Sequence, residues 1–279
     1  MWQKRLYKFL DNPFVLLAYV RTHFIYPQIA DRESKDYDEY NFLDSQETIK
    51  QIIEEKQSLI RVGDGTFGYL NGHSIYFQNW YFRYNRSFAR KLKEVLIQGQ
   101  DEKILFCYPH TFVRKDRQTY KKEGIENEWQ IWVATKVLMK RFLRKEKVYG
   151  DALCFHPRYN LGIDFPAIKK YLDTKHVIII TTNIERFKDI RLGMSTTLIE
   201  GPANDAWRAY ERLEKEALET ITTQGFKTEE VLFMISAAEA AKVMVYDLTK
   251  AGYTAWDTGQ FFDLAAQEIA ALQPTPQVP

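Results

Sequence analysis

The stretch Ser58-Leu59-Ile60-Arg61-Val62-Gly63-Asp64-Gly65-Thr66-Phe67 decides the fold. A short run rich in branched side chains reads as a buried strand, and it stops at two glycines that bracket an acid. Working outward, the same unit recurs. Ile104–Tyr108 is stopped by Pro109, and Val177–Thr181, Thr196–Ile199, Val231–Ile235 and Tyr253–Trp256 are further strands. Ala152–Phe155 is short and apolar as well. Helical patterns lie between them. Asp44 with Glu47 gives a capping-box signal for a helix to about Lys56. Others are expected over Arg86–Ile97, Glu126–Lys145, Asp164–Leu172, from Asn204 or Asp205 to about Thr222, and over Ala237–Lys250, closed by Gly252. Strands of four to six residues separated by helices predict an α/β fold: a Rossmann-like, mostly parallel sheet with helices on both faces.

Composition narrows the function classes. The 279 residues are 45% hydrophobic and 27% charged, as in ordinary globular proteins. Lys and Arg (39) nearly balance Asp and Glu (37), which argues against a whole-surface nucleic-acid binder. Cys107 and Cys154 each sit in an apolar run and read as core thiols in a reducing compartment, so a cytoplasmic location is expected. No stretch reaches 18 uninterrupted apolar residues, and the run Phe14–Val20 lacks a cleavage site, so neither a spanning helix nor a secretory signal is expected. Residues 1–25 carry Lys4, Arg5, Lys8 and Arg21 against Asp11, among many aromatic and leucine residues. Such a segment suits the inner face of an anionic membrane, or packs on its own domain. The expected division is 1–43 for this segment and its connection, 44–271 for the α/β domain, and 272–279 for a disordered tail. Between Arg114 and Lys147 stand 11 basic and 5 acidic residues, a solvated helix face or a surface for phosphates.

In a parallel α/β sheet, ligands bind beyond the carboxyl ends of the strands. Six segments therefore matter: Gly63–Thr66, Tyr108–His110, His156-Pro157-Arg158, Thr182-Asn183, Ser236–Glu239 and Asp257–Gln260. Gly63 and Gly65 permit a sharp turn and close approach of a ligand. Asp64 between them suits a hard cation or sugar hydroxyls, or is an ordinary turn aspartate. At Ser236-Ala-Ala-Glu239 a strand runs into a helix whose free N–H groups suit a diphosphate, although Glu239 opposes an anion there. A plain strand-to-helix junction is the alternative. Asp257 and Asp263 are candidate general bases toward a hydroxyl, or helix caps. His156 and Arg158 are placed to contact phosphate. No His pair has zinc spacing, and neither a phosphate-binding Gly-Lys-Ser/Thr nor a Gly-x-Ser-x-Gly is present.

The motifs together resemble the GT-D glycosyltransferases, whose first strand and loop typically read Arg-Phe-Gly-Asp-Gly-Glu. Ser58–Phe67 matches that strand and loop. The likeness continues through Gly72–Gln78, Arg90–Val95, Lys147–Ala152, Ile199–Ala206 and Val245–Tyr253, then Asp257–Gly259. It covers about residues 45–265. It implies transfer of a hexose from a nucleotide sugar, often UDP-glucose, to a glycan, glycoprotein or lipid-linked acceptor in bacterial assembly pathways. The family's Asp-x-Glu motif implies a divalent cation, manganese or magnesium, here at Asp64. Arg61, Gly63, Asp64, Gly65, Thr66, His156, Arg158, Arg186 and Ser236 are the expected donor-binding residues. Asp257 or Asp263 would face the acceptor, and Tyr69, Tyr76 or Trp80 would stack on sugar or uracil. The sequence departs from the pattern at Thr66, which replaces the motif's Glu, at Gln260, which replaces a common His, and at Thr181-Thr-Asn183, where acids are common. These departures motivate the alternative of a non-catalytic GT-D-like partner of another glycosyltransferase.

Overall fold

Branched and aromatic residues that alternate between two apolar faces need cover on both sides, and the chain supplies it. The structure, a computed structural model, describes residues 12, 15–76, 81–99, 103–156, 162–259 and 266–272. Its strands are β1 (Asn41–Phe42), β2 (Ser58–Arg61), β3 (Ile75–Tyr76), β4 (Tyr81–Phe82), β5 (Ile104–Tyr108), β6 (Val148–Asp151), β7 (His176–Thr181), β8 (Ser195–Glu200), β9 (Val231–Ser236) and β10 (Thr254–Asp257). Eight of them form one sheet in the order β1-β6-β5-β2-β10-β9-β7-β8, with every neighbouring pair parallel. β3 and β4 form a small antiparallel hairpin.

The two faces follow the period-2 alternation of strand side chains. Ile60, Phe106, Ile178 and Phe233 lie in one core, which also takes Phe88, Trp132, Leu213 and Val243 from helices Arg86–Gln98, Glu126–Leu138, Tyr210–Gln224 and Ala240–Lys250. Leu59, Leu105, Leu232 and Trp256 lie in the other, under Ile52, Ile168 and Ile269 from helices Ser45–Glu54, Phe165–Leu172 and Ala266–Ala271. Both cysteines are free and buried in the second core. The predicted capping box forms: Asp44 caps Ser45–Glu54, and Glu47 returns the bond.

Topology places the site. From β2 the chain works outward through β5 to β6, and from β7 outward to β8. It then returns through β9 and β10 to close the middle of the sheet beside β2. The exits of β2, β10 and β9 are therefore neighbours at the carboxyl edge, where such sheets bind ligands.

Six expectations change. The strand expected at Ala152–Phe155 lies one step earlier, as β6, and 152–155 is a turn. Gly63–Thr66 is not an open loop, because a helix starts at once and runs Asp64–Leu70 from an extended Gly63. The helix expected from Ala237 starts at Ala240, since Ala238 adopts a left-handed φ of 48° that a helix cannot continue. Glu126–Lys145 ends as an α-helix at Leu138 and tightens to a 3₁₀ turn, Met139–Phe142. Asn204 and Asp205 cap no helix; their side chains accept instead from the backbone N–H groups of Tyr81 (2.8 Å) and Arg83 (2.7 Å), fixing the hairpin. Half of the basic excess at 114–147 is met by acids of 33–39: Arg114 pairs with Asp38, Lys140 with Glu33 and Asp36, and Lys145 with Glu39.

Candidate functional site

Arg61 closes β2 and reaches sideways over β10. Its Nη1 donates to the Thr258 carbonyl at 2.6 Å. Gly259 is required beneath it, because its φ is +52° and an added Cβ would lie 3.0 Å from the guanidinium nitrogens. The Ser236 hydroxyl donates to the Gly259 carbonyl at 3.1 Å, so the β9 and β10 exits are laced together. Ser236 is thus a tie between strands rather than a helix cap.

Asp64 heads its helix next to this lacing. Its side chain is exposed to solvent, yet neighbouring protein atoms desolvate it enough to raise its pKa. The backbone N–H groups of Gly65 and Asp64, and the Lys242 ammonium, oppose that rise. A reachable carboxylate with a shifted pKa at a strand exit is a candidate site residue.

Behind the turn lies a buried charge cluster. Lys242 Nζ stands 3.3 Å from Asp257 Oδ2 and 3.5 Å from Glu239 Oε2, and all three side chains are under 10% exposed. Burial pulls the Lys242 ammonium down, but Asp257 and Glu239 together outweigh it and hold its pKa above the ordinary value. Burial pushes Glu239 up, opposed by Lys242 and by a hydrogen bond with Thr66. Glu239 Oε1 also lies 3.3 Å from where a Gly65 Cβ would sit. Thr66 is itself buried, so position 66 points inward at Glu239. A buried acid from the β9 exit, Glu239, thus stands beside position 66. Arg61 Nε is buried without a hydrogen-bond partner among the described residues, and Glu239 Oε2 has the 3.5 Å ion-pair contact with Lys242.

The sequence-predicted residues sort clearly. Arg61, Gly63, Asp64, Gly65, Thr66, Ser236 and Asp257 converge on three adjacent strand exits. Arg186, in the turn after β7, and His156, after β6, flank them on either side of the same edge. Arg158, Asp263 and Trp80 lie outside the described residues. Asp257 is buried against Lys242 and is not presented to an acceptor. Tyr69 is fully buried, donates to the Arg83 carbonyl (3.1 Å) and accepts from Asn85 N–H (2.7 Å), so it stacks on no ligand. Tyr76 is half-buried in β3, its ring 6.3 Å from that of Tyr81. Lys242 escaped the sequence reading. Its signal was a lone charge inside Ala240-Ala241-Lys242-Val243-Met244, three residues after Glu239.

The fit of a divalent cation is limited by the donors. Among the described residues no group of three or more His, Cys, Asp or Glu could hold a metal. Asp64 is the exposed carboxylate of the cluster, while Glu239 is engaged by Lys242 and Thr66. One carboxylate completed by phosphate oxygens and water is an acceptable magnesium-type site, so Asp64 fits that role.

A Rossmann-like parallel sheet with an acid on a glycine-flanked turn at its central exit defines an α/β domain of the kind that binds ligands at its strand ends. The particular family follows from comparison: the glycosyltransferase GT-D fold model matches residues 59–263, and the chain belongs to that family. It is 22% identical over 263 residues to a probable glycosyl transferase, Gly, of Streptococcus gordonii, covering 89% of this chain and 35% of that protein. It is 23% identical over 233 residues to glycosyltransferase GlyD of Streptococcus pneumoniae serotype 4, covering 76% and 26% respectively. The chain thus spans about a third or less of the length of these curated relatives. Among solved structures, the domain of unknown function 1792 described as having a distinct glycosyltransferase fold superposes with a TM-score of 0.67. The two are 21% identical, and the match covers 88% of this chain and 89% of that one. A glycosyltransferase of the same domain type from Streptococcus sanguinis gives 0.63 at 22% identity, covering 80% and 82%.

Proposed function

We propose that this chain transfers a hexose from a nucleotide sugar, UDP-glucose or a similar donor, to a hydroxyl of a glycan, glycoprotein or lipid-linked acceptor. The observation that supports this reading is the exposed, desolvated Asp64 at the central strand exit of a GT-D family domain. Asp64 organises the sugar diphosphate, directly or by holding manganese or magnesium, which would offset charge on the leaving nucleotide. Gly63, Gly65 and Thr66 allow the phosphates to approach the turn. Arg61 and the start of helix Ala240–Lys250 oppose the charge that builds on the departing diphosphate. His156 and Arg186 border the donor, with Arg158 and Asp263 as further candidates for phosphate and acceptor. Asp257 acts by holding Lys242 in place.

The test is a thermal-shift panel of nucleotide sugars, followed by donor hydrolysis and transfer with and without manganese, in wild type and Asp64→Ala. One donor should stabilise the protein, and Asp64→Ala should lower turnover by about 100-fold or more. Equal turnover in the two proteins removes Asp64 from the mechanism. UDP binding without turnover of any donor favours the non-catalytic partner instead, a reading that Thr66 in the motif position motivates.

A further inference from the structure

We propose that the face formed by Leu16, Leu17, Tyr19, Val20, Phe24 and Ile25 docks on an anionic lipid bilayer. These six are most of the ten large apolar side chains exposed among the described residues, and the other four, Ile97, Ile131, Val148 and Met194, are scattered in sequence. Helix Val15–Val20 continues through a π-helical turn, Arg21–Ile25, into helix Tyr26–Lys35. Leu16 (60% exposed) and Phe24 (63%) are the most open of the six. Six exposed apolar side chains within residues 16–25 of a folded chain mark an interaction site.

The same segment is held firmly from behind. Ala18, Thr22 and Tyr26 recur every four residues and turn toward Asn71. Asn71 Nδ2 donates to Thr22 Oγ1 (2.9 Å) and to the Ala18 carbonyl (3.4 Å), and Tyr26 Oη donates to Asn71 Oδ1 (3.3 Å). Asn12 Nδ2 donates to the Gly72 carbonyl at 2.8 Å. The outward face is therefore presented by a docked element.

Charge selects the bilayer as occupant. No acidic residue occurs in 15–25, whereas Arg21 and His23 stand exposed between the apolar side chains. Residues 1–25 together carry four Lys and Arg against one Asp. Apolar groups flanked by basic and aromatic ones match the boundary between acyl chains and anionic headgroups. The segment is too short to cross, and no helix among the described residues is long and apolar enough to span a membrane.

The docking also orients the candidate site. Asn71 and Gly72 follow directly on helix Asp64–Leu70, so the membrane-facing segment is tied to one end of a helix whose other end is Asp64. Seven residues rise about 10 Å. Reach toward a lipid-borne acceptor rests on the glycosyltransferase reading; the docking itself does not.

The experiment is flotation of the full chain with vesicles of phosphatidylcholine alone and of phosphatidylcholine mixed with phosphatidylglycerol, with no nucleotide sugar present. Wild type should float with the mixed vesicles, less in high salt, and weakly with the neutral ones. Leu16→Ser/Phe24→Ser should lower the bound fraction by about tenfold, and Arg21→Glu should remove the preference for phosphatidylglycerol. Unchanged melting temperatures establish that both variants fold, because these side chains touch solvent. Wild type remaining at the bottom with both vesicles overturns the proposal. So does a dimer in sedimentation that Leu16→Ser/Phe24→Ser dissolves without any flotation of wild type, since a second copy then covers the face. Donor turnover is measured separately, so loss of docking and loss of the transferase reading are distinguishable.

Discussion

Desolvation makes the ionised Asp64 carboxylate less favourable in the folded chain than in the unfolded one. Burial raises its pKa from the ordinary 3.8, while backbone N–H groups and Lys242 only partly compensate. A carboxyl whose pKa is raised on folding weakens the native state wherever it is ionised, and the penalty disappears once both states are protonated. Asp64→Asn should therefore melt higher than wild type at pH 7, and the gap should close as pH falls below 3.8. Calorimetry across that range checks this, and a lower melting temperature for the variant at pH 7 would show the carboxylate to be stabilising. Asp64 was visible in the sequence because glycines bracket it. Glu239 and Lys242 were not read as site residues, because their partners, Thr66 and Asp257, are distant in the chain and meet only when β9 and β10 lie beside β2.

Among the elements, helix Glu126–Leu138 carries the least expected residue. Lys136 is fully buried, yet its Nζ lies 3.0 Å from Ser34 Oγ, 3.1 Å from the Phe112 carbonyl and 2.9 Å from the Val113 carbonyl, and it also donates to the Lys115 carbonyl. The ammonium satisfies the carbonyl end of helix His110–Val113 and ties it to helix Tyr26–Lys35. Lys136→Met keeps the volume and strands those acceptors, so it should cost about 2–3 kcal/mol, with a fall in melting temperature of roughly 4–12 °C. A loss below about 0.5 kcal/mol would mean that water reaches the carbonyls. In sequence this lysine looked like one more member of a basic stretch, and only burial distinguishes it.

For the whole molecule, two apolar cores on the faces of one sheet make cooperative protection the expectation. Cys107 and Cys154 sit in the second core, and burial pushes both thiols above their usual pKa. A thiol reagent should therefore label neither in the native state, and both together as denaturant unfolds the sheet, with the labelling and circular-dichroism transitions coinciding. Labelling of either thiol well before the transition would show the two faces opening separately. The α/β class, the parallel sheet and most strand and helix positions were legible in the chain itself, since local periodicity and turn residues are properties of neighbouring positions. Helix ends were less so: Ala238 turns left-handed, and the Gly63 N–H donates to Thr66 Oγ1 so that a helix starts at Asp64. The strand-exit rule also named Asp64 and Ser236, because ligands gather there, and the family resemblance added Arg61. Their convergence, the withdrawal of Asp257 into the interior against Lys242, and the meeting of Glu239 with Thr66 were decided by strand order, which brings residues nearly 200 positions apart into contact and which no local pattern encodes.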